Sequence, residues 1–197
     1  MEFAYSYGDP RRLYLNTTNR CTNRCSFCVR YRSDGLGGAT LWGDGEPDLE
    51  SLRAAVEARG GPNNFDEFIW CGFGEPTFRL DLITAAARWL RTGGAKIRLN
   101  TNGHACVIHE RDVLAEISRS VDEVSVSLNA PNRSRYSELC RPEITGAWDA
   151  LLDFLAAAAA HFKGVQASAV GFVLTEDEIE QCRALALSLG VARFRVR

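Results

Sequence analysis

Cys21, Cys25 and Cys28, in the run Asn-Arg-Cys-Thr-Asn-Arg-Cys-Ser-Phe-Cys, are spaced to share one soft-ligand metal centre. A structural zinc or a plain electron-carrying cluster usually takes four protein ligands. Three thiolates on a four-iron cluster leave one iron open, and an open iron is a place where chemistry can be done. A closed zinc site would need a fourth ligand, which Cys71 is placed to supply. Cys71, Cys106 and Cys140 otherwise read either as a catalytic thiol or as buried small hydrophobes, and Cys182 as core. His104, His109 and His161 show no ligand spacing.

Three further polar segments lie between apolar runs. Gly72-Phe73-Gly74-Glu75-Pro76 is a turn in which glycine lets backbone approach a partner closely. Asn100-Thr101-Asn102-Gly103 and Ser127-Leu128-Asn129 offer amides and hydroxyls, and Asn-Gly is also ordinary turn chemistry. Arg141 reads equally as a carboxylate-binding side chain and as a solvated one.

The elements that position these segments follow from hydrophobic spacing. Strands are expected at Arg12 to Thr17, Glu67 to Cys71, Lys96 to Asn100, Val121 to Leu128, Val165 to Val173 and Ala192 to Val196. Between them, helix signals begin at Pro47, with Leu49, Leu52 and Val56 on one face. They continue at Leu80 to Arg91, about Glu110 to Ser118, Gly146 to Phe162 and Glu176 to Leu189. Thr175, followed three residues later by Glu178, is a capping-box start. The stretch from Asp34 to Gly45 and the segment leading through Arg141-Pro142 read as loops, and Trp42 either covers the site or simply packs.

Strand–helix alternation predicts an α/β fold with a parallel sheet and right-handed crossovers. Six strands with five helices suggest a partial (βα)6 barrel, with a Rossmann-like open sheet as the other solution. In both, the working surface lies at the carboxyl ends of the strands. All four polar segments fall there, the cysteine loop after strand one included. Residues 1–197 read as a single domain.

Composition excludes several classes. A net charge of −2 argues against a general nucleic-acid-binding module. No apolar run approaches membrane-spanning length, and the polar N-terminus does not read as a signal peptide. Seven clustered cysteines fit a metal site better than a disulfide framework, which points to the cytoplasm. Arg11, Arg12, Arg20, Arg24, Arg30 and Arg32 make the first 32 residues basic, either as a solvated rim or to steer an anionic substrate or reductant.

The Cys-x3-Cys-x2-Cys spacing, with Phe27 before the third cysteine, resembles the radical S-adenosylmethionine (SAM) superfamily. Gly72 to Pro76 resembles that superfamily's Gly-Gly-Glu-Pro element, with Phe73 in place of the first glycine of the pair. Within it the chain is most similar to small proteins associated with TatD nucleases, through Leu15–Cys25 and Cys71–Thr77. The resemblance implies a [4Fe-4S] cluster on Cys21, Cys25 and Cys28 whose open iron chelates SAM. It further implies reductive cleavage of SAM to methionine and a 5′-deoxyadenosyl radical, which takes hydrogen from a substrate that the sequence does not name. A flavodoxin- or ferredoxin-type reductant is implied as partner.

By the same resemblance, Phe73, Gly74 and Glu75 meet the SAM amino group, and Ser127 and Asn129 serve the ribose. Asn100 and Asn102 are placed for ribose hydroxyls or the methionyl carboxylate, and Arg141 for that carboxylate. Ala169-Val170-Gly171-Phe172 is only a vestige of the family's adenine-site pattern. An activase that makes a glycyl radical on a protein partner, and a non-catalytic iron–sulfur electron carrier, are the alternative functions.

Overall fold

The computed structural model describes all 197 residues. Strand β1 is Ala4–Tyr5, β2 is Arg12–Leu15, β3 is Gly35–Leu36 and β4 is Ala39–Thr40. They are followed by β5 (Glu67–Trp70), β6 (Lys96–Thr101), β7 (Glu123–Ser127), β8 (Gly164–Ala169) and β9 (Arg193–Val196). The helices are α1 (Leu49–Glu57), α2 (Leu80–Leu90), α3 (Ala105–Ile108), α4 (Leu114–Ser120), α5 (Arg133–Cys140), α6 (Ala147–His161) and α7 (Glu176–Ser188).

The main sheet runs β1-β2-β5-β6-β7-β8-β9. Every pair from β2 to β9 is parallel. Spatial order equals chain order, so each crossover advances one step in the same direction. A doubly wound sheet would reverse at a switch point; here the winding never reverses, which is the barrel solution left unclosed between β1 and β9. Because the winding keeps one hand, the crossover helices form one layer, with α2 against α4 and α4 against α6. A continuous cluster of 40 buried side chains fills the space between that layer and the sheet. Leu13 and Leu15 alternate into it from β2, and Ile97 and Leu99 from β6.

Five features depart from the expected elements. An extra antiparallel strand, β1, pairs with β2, with Ala4 opposite Leu15. The glycine stretch contains a hairpin, β3–β4, whose turn residues Gly37 and Gly38 both have positive φ (61° and 84°), the backbone a tight hairpin requires. The expected helix at about Glu110 to Ser118 starts late: Glu110 sits at φ 51°, and α4 begins only at Leu114, with the short α3 ahead of both. The polar segment before Arg141 holds a helix, α5, capped where Asn132 accepts the Arg135 N–H at 3.0 Å. The fifth expected strand also stops at Ala169, because Gly171 turns to bond the Arg197 carbonyl at 2.9 Å. The capping box of α7 is present as expected.

Candidate functional site

The loop that leaves β2 carries the three cysteines over the carboxyl ends of the strands, and neighbouring strand ends hold it from below. Asn16 is buried; its amide donates to the Leu41 carbonyl at 3.1 Å, and its Oδ1 accepts the Phe73 N–H at 3.3 Å. The Glu75 N–H donates to the Arg20 carbonyl at 2.7 Å. Gly74 passes so close beneath that a Cβ there would stand 2.4 Å from the Thr18 carbonyl oxygen and 2.5 Å from that of Arg20. Glycine is therefore required by the run that delivers Cys21.

Glu75 is buried, and its carboxylate joins two strand ends. Oε1 accepts from the Thr77 N–H at 3.2 Å, the Thr77 hydroxyl at 2.7 Å and the Thr101 hydroxyl at 2.7 Å. Oε2 accepts the Asn102 N–H at 2.7 Å. Burial pushes its pKa up, and these donors act against that shift. Most of its acceptor capacity is thus used inside the protein.

A second polar chain holds the loop on its other side. The Asn102 amide donates to Thr22 Oγ1 at 2.8 Å and reaches Cys21 Sγ at 3.9 Å, while Asn102 Oδ1 accepts the His104 N–H at 3.0 Å. The Thr22 hydroxyl meets His104 Nδ1 at 2.8 Å, and His104 Nε2 meets the Ala147 carbonyl at 3.0 Å. A carbonyl can only accept, so Nε2 carries the proton and Nδ1 accepts from Thr22. Asn23 donates to the Tyr136 hydroxyl at 3.0 Å. Burial drives the His104 pKa down to about 4, keeping the ring neutral. None of Thr22, Asn23, His104 and Tyr136 stood out as a site residue from spacing alone.

The cysteines themselves are partly exposed. Burial, with Glu75 nearby, pushes Cys21 up to about 12. Burial also raises Cys28. A hydrogen bond with Cys140 lowers Cys25, and Arg30 and Arg197 add to that effect. No three His, Cys, Asp or Glu side chains gather tightly enough to hold one metal ion. Thiolates sharing a single zinc would lie about 3.8 Å apart, from Zn–S bonds of about 2.3 Å. Burial pushes the thiol of Cys71, the proposed fourth zinc ligand, up. Three soft, reachable thiols on one braced loop fit a cluster, whose terminal ligands are spread over separate irons.

The remaining expected residues fall into two groups. Ser127 and Asn129 come together with Arg197, which donates to them at 3.2 and 3.4 Å. Asn129 is in the left-handed region at φ 59°, a conformation asparagine tolerates. Asn100 Oδ1 is buried at the end of β6 with no hydrogen-bond partner, and so is free to accept one. Phe73 is buried with Tyr5, Ala39 and Leu41, and Trp42 stands edge-on to it at 5.4 Å. Its side chain therefore packs, and only its backbone borders the loop. Arg141 is exposed at φ 45°, turning the chain out of α5, and its side chain joins neither group.

A cavity of about 700 Å³ opens at the opposite end of the sheet, among strand starts at Lys96, Glu123, Gly164 and Arg193. In a barrel that end serves stability. It holds none of the expected site residues.

Residues 15–186 match the family model described as the Radical SAM superfamily. Comparison with curated protein sequences gives no match. Among solved structures, TYW1 with a lysine-pyruvate adduct bound aligns over 95% of this chain and 64% of its own, at 16% identity and a TM-score of 0.65. Streptococcus suis SuiB bound to precursor peptide SuiA aligns over 95% and 39%, at 15% identity and 0.68. A radical SAM methyltransferase from Sphaerobacter thermophilus aligns over 96% and 56%, at 19% identity and 0.63. At these identities the likeness is one of fold. The chain spans between about two fifths and two thirds of the length of these proteins. No helix is long and apolar enough to cross a membrane.

Proposed function

The chain belongs to the radical SAM superfamily of enzymes, and from that we propose that Cys21, Cys25 and Cys28 hold a [4Fe-4S] cluster with which it cleaves SAM. When bound, the cluster supplies one electron for reductive cleavage of SAM, giving methionine and a 5′-deoxyadenosyl radical that takes hydrogen from a substrate. The observation that carries the reading is the placement of three reachable thiols on a doubly braced loop above the strand ends of a one-way parallel sheet.

The chain's own residues have three tasks in it. Glu75 and Asn102 fix the loop and β6 as one unit, which keeps the open side of the site in register with the strand ends. Backbone carbonyls at Phe73 and Gly74, with Glu75, are assigned to the ammonium group of SAM, and the unpartnered Asn100 Oδ1 to a ribose hydroxyl. Ser127 and Asn129 present acceptors that now hold Arg197 and suit ribose hydroxyls equally well. Arg141, exposed and unpaired, is the least supported contact.

The charge pattern favours an anionic substrate or reductant. Of the six early arginines, Arg11, Arg12, Arg20 and Arg24 are paired with carboxylates. Arg30 lies over Tyr31 and Arg32 over Phe172, with no carboxylate on either. With Arg197 they form the free positive charge beside the cysteine loop, suited to a flavodoxin- or ferredoxin-type donor. We assign the protein to the cytoplasm, read residues 1–197 as one catalytic unit, and keep the kinship with TatD-associated proteins on Leu15–Cys25 and Cys71–Thr77. The fold itself does not choose a reaction.

The test is anaerobic reconstitution with iron and sulfide, followed by reduction with SAM present. The expected result is 5′-deoxyadenosine release that disappears in Cys25→Ala. Tetrathiolate zinc in anaerobically purified protein, without SAM binding, would overturn the reading.

A further inference from the structure

We propose that Cys25 and Cys140 form a reversible disulfide in the cluster-free protein, with Cys140 as the resolving thiol. The backbone around them is paired. Asn23 and Pro142 form an antiparallel bridge. Counting two residues along each segment in opposite directions puts Cys25 opposite Cys140. The hydrogen bonds agree: the Arg24 N–H donates to the carbonyls of Cys140 and Arg141 at 3.0 and 3.2 Å, and the Ser26 N–H to that of Leu139 at 2.9 Å. Cys25 therefore lies between two backbone bonds that hold the cysteine loop directly against the last turn of α5, where Cys140 sits. Disulfides bridge Cα atoms about 4.4–6.8 Å apart, a reach suited to segments bonded backbone to backbone.

Access divides the roles. Cys25 is partly exposed and Cys140 fully buried at the end of α5. An oxidant in solution therefore meets Cys25 first. With oxidised glutathione, Cys25 forms a mixed disulfide and releases one reduced glutathione. Cys140 then attacks the Cys25 sulfur and releases the second. Two electrons pass from the protein thiols to glutathione disulfide, and no atom is left over.

The consequence rests on the reading of Cys25 as a cluster ligand: the bridge removes one of three ligands, so the oxidised chain cannot be loaded until a thiol reductant opens it. The bridge itself does not depend on that reading. Cys25 would thus serve as iron ligand and as redox sensor in turn.

The test uses the full chain, freed of iron by a chelator under reductant, desalted anaerobically and treated with oxidised glutathione. Peptide mapping without reduction is expected to show the segment beginning at Cys25 joined to the segment beginning at Tyr136. Two of the seven thiols should be lost and regained with dithiothreitol. The link should persist in Cys28→Ser and vanish in Cys140→Ala. Iron uptake by the oxidised wild-type chain should fall at least tenfold and recover on reduction. A Cys25–Cys28 or Cys21–Cys25 link, or a lasting glutathione adduct on Cys25, would overturn the proposal. Mapping in wild type and Cys28→Ser decides the matter even if Cys140→Ala does not fold. Because the mapping uses neither SAM nor cluster, its failure is distinct from failure to release 5′-deoxyadenosine.

Discussion

The Glu75 carboxylate and the Asn102 N–H are joined at 2.7 Å across the ends of β5 and β6. Asn102 then passes its own amide to Thr22 and Cys21. One buried carboxylate therefore ties the ends of β5 and β6 to the segment that carries the first cysteine.

Glu75→Gln keeps the size of the side chain and loses the charge. It also sets an amide N–H against donors that need an acceptor. Leaving such donors unmet costs about 1–3 kcal/mol, and more where the lost acceptor was charged. Urea unfolding of the metal-free protein should show a loss of about 2–4 kcal/mol. A change under about 0.5 kcal/mol would mean that water replaces the carboxylate at no cost.

Gly74→Ala should act on the cysteine loop more than on the fold. Its Cβ would meet two carbonyl oxygens at 2.4 and 2.5 Å, both backbone, so the run into Cys21 must shift. Overpacking of this kind costs about 1–3 kcal/mol. Far-UV circular dichroism should stay native while iron binding on reconstitution falls severalfold. Undiminished iron binding would show that the loop seats itself without Gly74.

His104 makes the metal-free protein acid-sensitive. Its folded pKa is depressed by burial from 6.5 to about 4. Between those values the unfolded chain binds a proton that the folded chain does not. The contribution is whole above about pH 6.5 and is lost as the pH falls toward 4, by up to about 3 kcal/mol. Unfolding free energies from pH 7.5 to 4.5 should show that slope, reduced in His104→Gln. Equal slopes in the two proteins would place the sensitivity elsewhere.

Thr175→Ala provides a contrast at a distance from the site. Thr175 and Glu178 close the capping box of α7 at 3.2 and 2.9 Å. Losing the cap costs about 1 kcal/mol, or about 2–4 °C in Tm for a chain of this size. Iron binding at 25 °C should be unchanged. A loss of iron would show that α7 reaches the site through Arg135 of α5, which pairs with Glu178 at 2.8 Å.

The parallel order and the placement of the cysteine loop could be read from spacing, because each parallel strand after β2 carries its own apolar run. Two-residue strands such as Ala4–Tyr5 have no period to detect and exist only through pairing with β2. Helix α5 was hidden because only Tyr136, Leu139 and Cys140 of it are buried, too few to stand out against its charges. The site was half legible. Cysteines and glycines declare themselves by type, and Gly74 by its need for closeness. Thr22, His104 and Tyr136 matter only through partners 32 to 113 residues away in sequence, and Arg197 only because β9 returns beside β8.

The two-sided bracing of the cysteine loop has a consequence for the order of events at birth. Cys21, Cys25 and Cys28 leave the ribosome before Glu75, Asn102, His104 and Tyr136, the residues that seat them, have been made. On the nascent chain the three thiols are an open chelator for any soft metal ion. They become a shaped site only after α5 has docked, when more than 100 further residues have emerged. On the proposed reading, iron and sulfide are delivered to a finished scaffold, and in that interval the cell has to keep the early thiols reduced and unclaimed.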